Sequence, residues 1–211
     1  MKRSGYNIPD YINRPQEPLL IVLSGLSGAG KDAVLSRLKA ELPGLHHIIT
    51  TTTRAPRKTE TDGVDYNFIS EAKFLEMVEQ GDFLEHANVY GNWYGVPRPP
   101  VRQALQDGND TIVKVDIQGV ANIKNIIPEA VFVFLVPDSL EELNSRLTNR
   151  NTESASELSL RTKAAEEELE RLSLCDYVVK NKRGKLDEAV QKIKAIIAAE
   201  KCRQTPRAIN I

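Results

Sequence analysis

The sequence has little that would tie it to a membrane, to nucleic acid or to an oxidising compartment. No apolar run approaches the ~18 residues that a membrane helix needs. The opening stretch MKRSGYNIPDYINRPQEP has no apolar centre, so it does not read as a secretory signal. The two cysteines, Cys175 and Cys202, are far apart and lack neighbouring ligand residues. That spacing reads as free reduced thiols, with neither a disulfide framework nor a metal site. Charge of either sign is not in excess: 28 Lys and Arg against 29 Asp and Glu give a formal net charge of −1. No global field then draws a polyanion, and any anion site has to be a local cluster. Repeats and low-complexity tracts are missing. Together these lacks predict a cytoplasmic protein with no nucleic-acid or membrane partner, and they leave the oligomeric state open.

What is present is the patterning of an α/β protein. The 211 residues suit one domain with insertions, or two small lobes. LLIVLS, from Leu19, is a short apolar run ending at a glycine and predicts a buried strand. Val34, Leu35, Leu38 and Leu42 then recur at helical spacing, and Pro43-Gly44 stops that helix. HHIITTTT, from His46, is β-branched and predicts a second strand. Residues 54–96 differ in character: loops rich in Arg, Pro, Asp and Gly alternate with short aromatic strands around one helix, Glu71 to Gln80, as in an inserted lobe. TIVKVDI, AVFVFLV and DYVVK predict three more strands. Helices are expected at Val101–Gln106, Val120–Asn125, Leu140–Leu147, Ser156–Ser173 and Leu186–Glu200, with Ser139 and Glu142 forming a capping box for the third. Alternating strands and helices predict a doubly wound parallel sheet covered on both faces. The expected organisation is a tail at 1–18, a domain at 19–203 with its core at 19–53 and 97–203, and a tail at 204–211.

One motif carries specific chemistry. Gly25-x-x-x-x-Gly30-Lys31 follows a strand and opens a helix, the setting of a P-loop. Gly25, Ser27, Gly28, Ala29 and Gly30 let backbone N–H groups turn towards an anion, and the helix N-terminus adds partial positive charge. Lys31 would reach the β- and γ-phosphates of a nucleotide such as ATP. The plainer alternative is a glycine-rich turn with a surface lysine. Asp32 stands where a hydroxyl is usual. A carboxylate is a hard oxygen ligand for Mg²⁺, yet it adds negative charge beside a polyphosphate.

From Thr50 onward TTTTRAPRKTETDGVDYNF, GDFLEHANVYGNWYG, VDIQG and RLTNRNTE follow in the order of the signature segments of guanylate kinases. The resemblance runs from about Leu19 to Glu200. It implies a P-loop core, an inserted nucleoside-monophosphate lobe at 54–96, a lid at about 147–162, and transfer of the γ-phosphoryl of ATP to GMP or dGMP with Mg²⁺. It assigns Arg54, Arg57, Tyr66 and Tyr94 to the acceptor phosphate. Two guanidinium forks and a phenol suit a phosphate dianion, although exposed arginines are the ordinary alternative. It places Thr50 against guanine O6 and Glu85 where a carboxylate accepts from guanine N1–H and N2–H₂; adenine offers an acceptor at N1 and would be repelled. It sets Asp116 facing the guanine and the clamp arginines. Arg146, Arg150 and Arg161 become lid arginines that share catalysis with Lys31 and Arg54, and Asn181 lies near the adenine.

This chain departs from the pattern at several positions. Val96 replaces a Ser or Thr that would be a second donor to O6, a loss of about 0.5–1.5 kcal/mol. Asn151 stands for a glycine, and Lys182 for an acid that often follows the asparagine. Lys114 replaces an acid two residues before Asp116, on the same strand face. An acid gained at 32 and one lost at 114 should meet at the end of the sheet. They predict either an Asp32–Lys114 ion pair or a Mg²⁺-binding Asp32 with Lys114 on a phosphate. Rival readings are a GTPase switch built on DIQG and NKRG, a non-catalytic binding module, and a P-loop kinase with another phosphorylated acceptor.

Overall fold

The computed structural model describes residues 16–89, 91–139, 142 and 168–211. The strands are β1 (Leu20–Gly25), β2 (His46–His47), β3 (Thr51–Thr52), β4 (Asn67–Phe68), β5 (Phe83–Val89), β6 (Asn92–Pro97), β7 (Thr111–Lys114), β8 (Val131–Val136) and β9 (Tyr177–Lys180). The described helices are α1 (Lys31–Glu41), α2 (Glu71–Glu79), α3 (Arg98–Gln106), α4 (Ile117–Ile126) and α5 (Leu186–Lys201), with a 3₁₀ turn at Arg171–Leu174. The helix expected at Leu140–Leu147, most of that at Ser156–Ser173, and the lid lie outside the described residues. Of the capping box expected before the first of these, the bond to the Ser139 side chain is present, and the carboxylate's bond falls one residue earlier than expected. Glu142 N–H donates to Ser139 Oγ at 3.2 Å, and the Glu142 carboxylate accepts from Asp138 N–H at 3.0 Å.

Five strands form a parallel sheet in the order β2-β7-β1-β8-β9. All six residues of β1 are buried, as are Val131 to Leu135 of β8, which is why both read as unbroken apolar runs. The core gathers around Ile21, Leu23, Phe132 and Phe134, with Val34 and Leu38 of α1 and Val190 and Ile193 of α5 packed onto it. α1 carries Asp32 in its first turn and Lys39 in its last, both favourable to the helix dipole. Among the described residues no helix is long and apolar enough to cross a membrane.

The second sheet runs β4-β3-β6-β5. It corrects one expectation: HHIITTTT is two strands, not one. His46 and His47 pair in parallel with β7, and Ile48 N–H still donates to Ile112 O at 3.1 Å. Thr51 and Thr52 instead pair with Gly95 and Tyr94, and with Asn67 and Phe68. β-branched residues suit either sheet, so their run does not reveal that the chain changes sheets near Thr50.

The segment from 204, expected as a tail, packs on the core. Arg207 forks onto Glu200 at 2.8 and 2.9 Å, donates to Ala130 O at 2.9 Å and lies 3.3 Å from Asp176. Glu200 is only 3% exposed and also accepts from the Tyr177 hydroxyl at 2.5 Å. Ile209 and Ile211 pack on the core beyond it. Arg207→Ala would leave the buried Glu200 carboxylate with only the Tyr177 hydroxyl and, at 3.6 Å, Arg203, so it should lower stability by about 2 kcal/mol, read as a reduced urea midpoint with an unchanged slope.

Candidate active site

The end of β1 delivers the chain into the glycine turn. A Cβ at Gly25 would come within 2.4 Å of Leu135 O, so β8 leaves room only for glycine. Gly28 and Gly30 have φ of 86° and 93°, the left-handed region glycine enters without strain. Gly30 caps α1 with no side-chain bond, which leaves the first N–H groups of the helix available to an anion. Lys31 Nζ donates to Gly25 O at 2.6 Å and Leu26 O at 3.2 Å, so the lysine is folded onto its own loop. Burial pulls its pKa down, with Glu168 and Asp32 acting the other way.

Glu168 escaped the sequence reading. It lines the same cavity, and burial raises its carboxyl to about 7, with Lys31 opposing and Asp116 adding to the rise. Asn181, expected at the adenine, donates from Nδ2 to Ala29 O at 2.8 Å, and its backbone N–H donates to Val136 O at 2.8 Å. It thus fastens the loop to the end of β9, and it does not line the main cavity.

Across the cavity lies the arginine cluster. Arg54 Nη2 meets both Glu60 oxygens at 2.9 Å; Arg57 gives Glu60 its backbone N–H at 2.7 Å and Nη1 at 3.4 Å. Tyr66 and Tyr94 lie edge to face with centroids 6.1 Å apart, and the Arg54 guanidinium sits 5.5 Å from the Tyr66 centroid. Burial disfavours the Arg54 charge, but bonds from Glu60 and Tyr94 more than offset this and raise its pKa. The sequence reading also missed Glu60. Its one signal was an acid three residues after Arg57 in a basic turn.

Glu85 projects from β5 and is 6% exposed. Burial lifts its carboxyl to about 8; Asp116 raises it further and Asn122 pulls it down. Asn122 Nδ2 lies 3.5 Å from Glu85 Oε2 and donates to His86 O at 3.2 Å. Asp116 caps α4 by accepting from Gly119 N–H at 2.8 Å. Thr50 lines the cavity. Val96, directly across the sheet from Glu85, is fully buried in the core and offers no donor there.

The two departures meet. Lys114 Nζ lies 2.6 Å from Asp32 Oδ1 and 4.1 Å from the Tyr66 ring centroid. The oxygen expected to serve Mg²⁺ therefore already holds an ammonium. Among the described residues no group of three His, Cys, Asp or Glu is arranged to hold a metal ion. While Lys114 holds Oδ1, that oxygen of Asp32 does not fit service as a Mg²⁺ ligand.

One cavity of about 530 Å³ gathers Gly25, Ser27, Gly28, Gly30, Lys31 and Asp32 with Thr50, Arg54, Arg57, Tyr66, Glu85, Tyr94, Lys114 and Asp116. That volume is typical of small-molecule sites. Arg146, Arg150 and Arg161 lie outside the described residues. A phosphate-binding loop opposite an arginine–tyrosine cluster, on a doubly wound sheet, defines a P-loop kinase of the nucleoside-monophosphate type. The family profile "Guanylate kinase" matches residues 17–200. "Guanylate kinase 2, chloroplastic/mitochondrial" of Oryza sativa subsp. japonica is 44% identical over 198 residues, covering 93% of this chain and 70% of the relative. "Guanylate kinase" of Caldanaerobacter subterraneus subsp. tengcongensis is 47% identical over 188 residues, 89% of this chain and 90% of the relative. The crystal structure of guanylate kinase from Anaplasma phagocytophilum superposes with a TM-score of 0.72 at 29% identity, over 90% of this chain and 89% of that one. The chain belongs to the guanylate kinase family.

Proposed function

We propose that this protein transfers the γ-phosphoryl group of ATP to GMP, giving ADP and GDP. The reading rests above all on one cavity lined by a P-loop, an arginine–tyrosine cluster and a buried carboxylate. The loop's N–H groups and Lys31 bind the ATP phosphates. Arg54, Arg57, Tyr66 and Tyr94 take the acceptor phosphate, while Glu85 and Thr50 read guanine. A phosphate oxygen of GMP attacks the γ-phosphorus as the bond to the β-bridging oxygen breaks, and ADP departs with that oxygen. The nucleophile is already an oxyanion, so no general base is needed. Catalysis consists of in-line positioning and neutralisation of charge on the moving group. Mg²⁺ accompanying ATP would supply further neutralisation of its phosphate charge, and no residue of the chain is assigned to hold it. Arg146, Arg150 and Arg161 are proposed to join from the lid.

ADP release with ATP and Mg²⁺ against GMP, dGMP, AMP, CMP and UMP tests this. GMP and dGMP should be the preferred acceptors; equal use of AMP, or hydrolysis without transfer, would contradict it.

Protonation of Glu85 gives a further expectation. Guanine binds the carboxylate, whereas a group with a pKa of about 8 is mostly neutral at pH 7. GMP binding should therefore release a proton and tighten as pH rises towards 8, approaching tenfold per unit well below that value. Calorimetry in buffers of differing ionisation enthalpy reads the proton count. A count of zero at pH 7 would exclude the neutral carboxyl.

A further inference from the structure

The Asp32–Lys114 pair joins three parts of the protein. Asp32 opens α1 directly after the phosphate loop, Lys114 ends β7, and Tyr66 belongs to the segment that carries the arginine cluster. The Lys114 side chain is 12% exposed, while that of Asp32 is 67% exposed. A lysine so enclosed has to be held charged by its neighbours. Burial opposes its charge, but Tyr66 and Asp32 together more than compensate and keep the pKa raised. A pair of this kind is a weak device for stability, since two apolar residues of similar size often do as well. What it does achieve is to fix a cation in the wall of the cavity, among residues that line it from both sides: Lys31 from the loop, and Arg54, Arg57 and Tyr66 from the cluster. Lys114 is near enough to Lys31 to disfavour its charge. Two enclosed cations that repel one another are relieved when a polyanion arrives between them.

We propose that Lys114 is a catalytic residue, held in place by Asp32, whose ammonium contacts the oxygens of the phosphoryl group as it passes from ATP to the acceptor. The ammonium has three donors. One stays on Asp32 and one meets the Tyr66 side chain, and the third serves the moving group, whose negative charge is spread over its oxygens in the transition state. Asp32 then acts as a positioning residue for a cation and not as a ligand of Mg²⁺. The inference rests on the functional reading above. The two are separated by measuring the unaltered protein first: absence of transfer to GMP overturns both, whereas transfer that survives the substitutions below overturns only this one.

The test compares the full chain with Lys114→Met, Lys114→Arg and Asp32→Asn. It measures steady-state kinetics, thermal unfolding, and calorimetric affinity for a bisubstrate analogue in which adenosine and guanosine are joined by five phosphates. Lys114→Met should lower kcat about 10²-fold, with KM for ATP and GMP each within about threefold, because the lost contact belongs to the transition state. It should weaken the analogue by at least about tenfold while changing the affinities for ATP and GMP alone by less than about threefold. Lys114→Arg should recover about tenfold in kcat, since it restores the charge with a different shape. Asp32→Asn, on an exposed side chain, covers the case in which Lys114→Met does not fold. It should lower kcat about tenfold and leave the Mg²⁺ concentration for half-maximal rate within about threefold. A rise of tenfold or more in that concentration would make Asp32 a metal ligand and overturn the proposal. So would a Lys114→Met protein with kcat within about threefold of the original and only a lower melting temperature. A change confined to the KM for GMP would overturn it as well, since it would place the lysine on the resting acceptor.

Discussion

Lys31→Ala is expected to lower kcat by about 10²–10³-fold, the loss typical of removing one pre-placed charge-stabilising donor. ADP release in the presence of saturating ATP and GMP reads it directly. The same variant should unfold within a few degrees of the original, because Lys31 does not stabilise the ligand-free fold through any apolar contact in the core cluster. Its ammonium is bonded to Gly25 O and Leu26 O, and burial works against its charge. Those two carbonyls can be taken over by water once the side chain is gone. Lys31→Ala thus separates catalysis from stability. Retention of kcat within tenfold would mean that the glycine turn does not cradle the transferred phosphate.

Glu85→Gln is expected to lower kcat/KM for GMP by about 10²-fold while leaving that for AMP within about threefold. The amide keeps the shape but offers one acceptor and one donor where guanine presents two donors. One hydrogen bond is lost and two donors are set against each other, worth about 2–3 kcal/mol in a buried site. Acceptor competition between GMP and AMP measures the narrowed ratio. The same substitution bears on stability through pH. The Glu85 carboxyl rises from an ordinary value near 4.5 to about 8 in the folded protein. Between those values the folded state holds more protons than the unfolded one, so this group makes the protein less stable as pH increases through that window. Glu85→Gln removes the Glu85 share of that decline, leaving the smaller share of Glu168, whose carboxyl is raised to about 7, and it removes the pH dependence that Glu85 gives to GMP binding. If the variant keeps both undiminished, another group titrates there.

Local signals in the sequence proved sufficient for the parallel sheet and the phosphate loop. Gly25, Gly30 and Lys31 act through their own backbone and their own turn, and the buried runs of β1 and β8 advertise burial on both faces. Asp32 and Lys114 were legible as a pair because each departs from the family pattern, and the neighbouring strands β1 and β7 lead to the same end of the sheet, Asp32 in the first turn of the helix after β1 and Lys114 at the end of β7. What stayed hidden depends on neighbours remote in sequence. Glu60 looks like any loop acid until the chain folds it between Arg54 and Arg57. Glu168 is one of several acids in a charged helix pattern, and only its placement near Lys31 marks it. Asn181 was read as lying near the adenine; the bond from its amide to Ala29 O, which ties β9 to the glycine loop, was not foreseen. The switch of Thr51 and Thr52 into the second sheet left no trace in their β-branched composition. Arg207 gave no hint that its fork would find Glu200 and Ala130.

Gly119 bears on how such a protein could drift in its choice of base. A methyl group there would lie 2.9 Å from Glu85 Oε1 and 2.8 Å from Val115 Cβ. The smallest heritable change at that position, to alanine, would shove the proposed guanine reader off its seat without altering any residue that touches a nucleotide. If Glu85 reads guanine as proposed, fidelity to one purine is guarded from behind, by a residue whose contribution is to have no side chain.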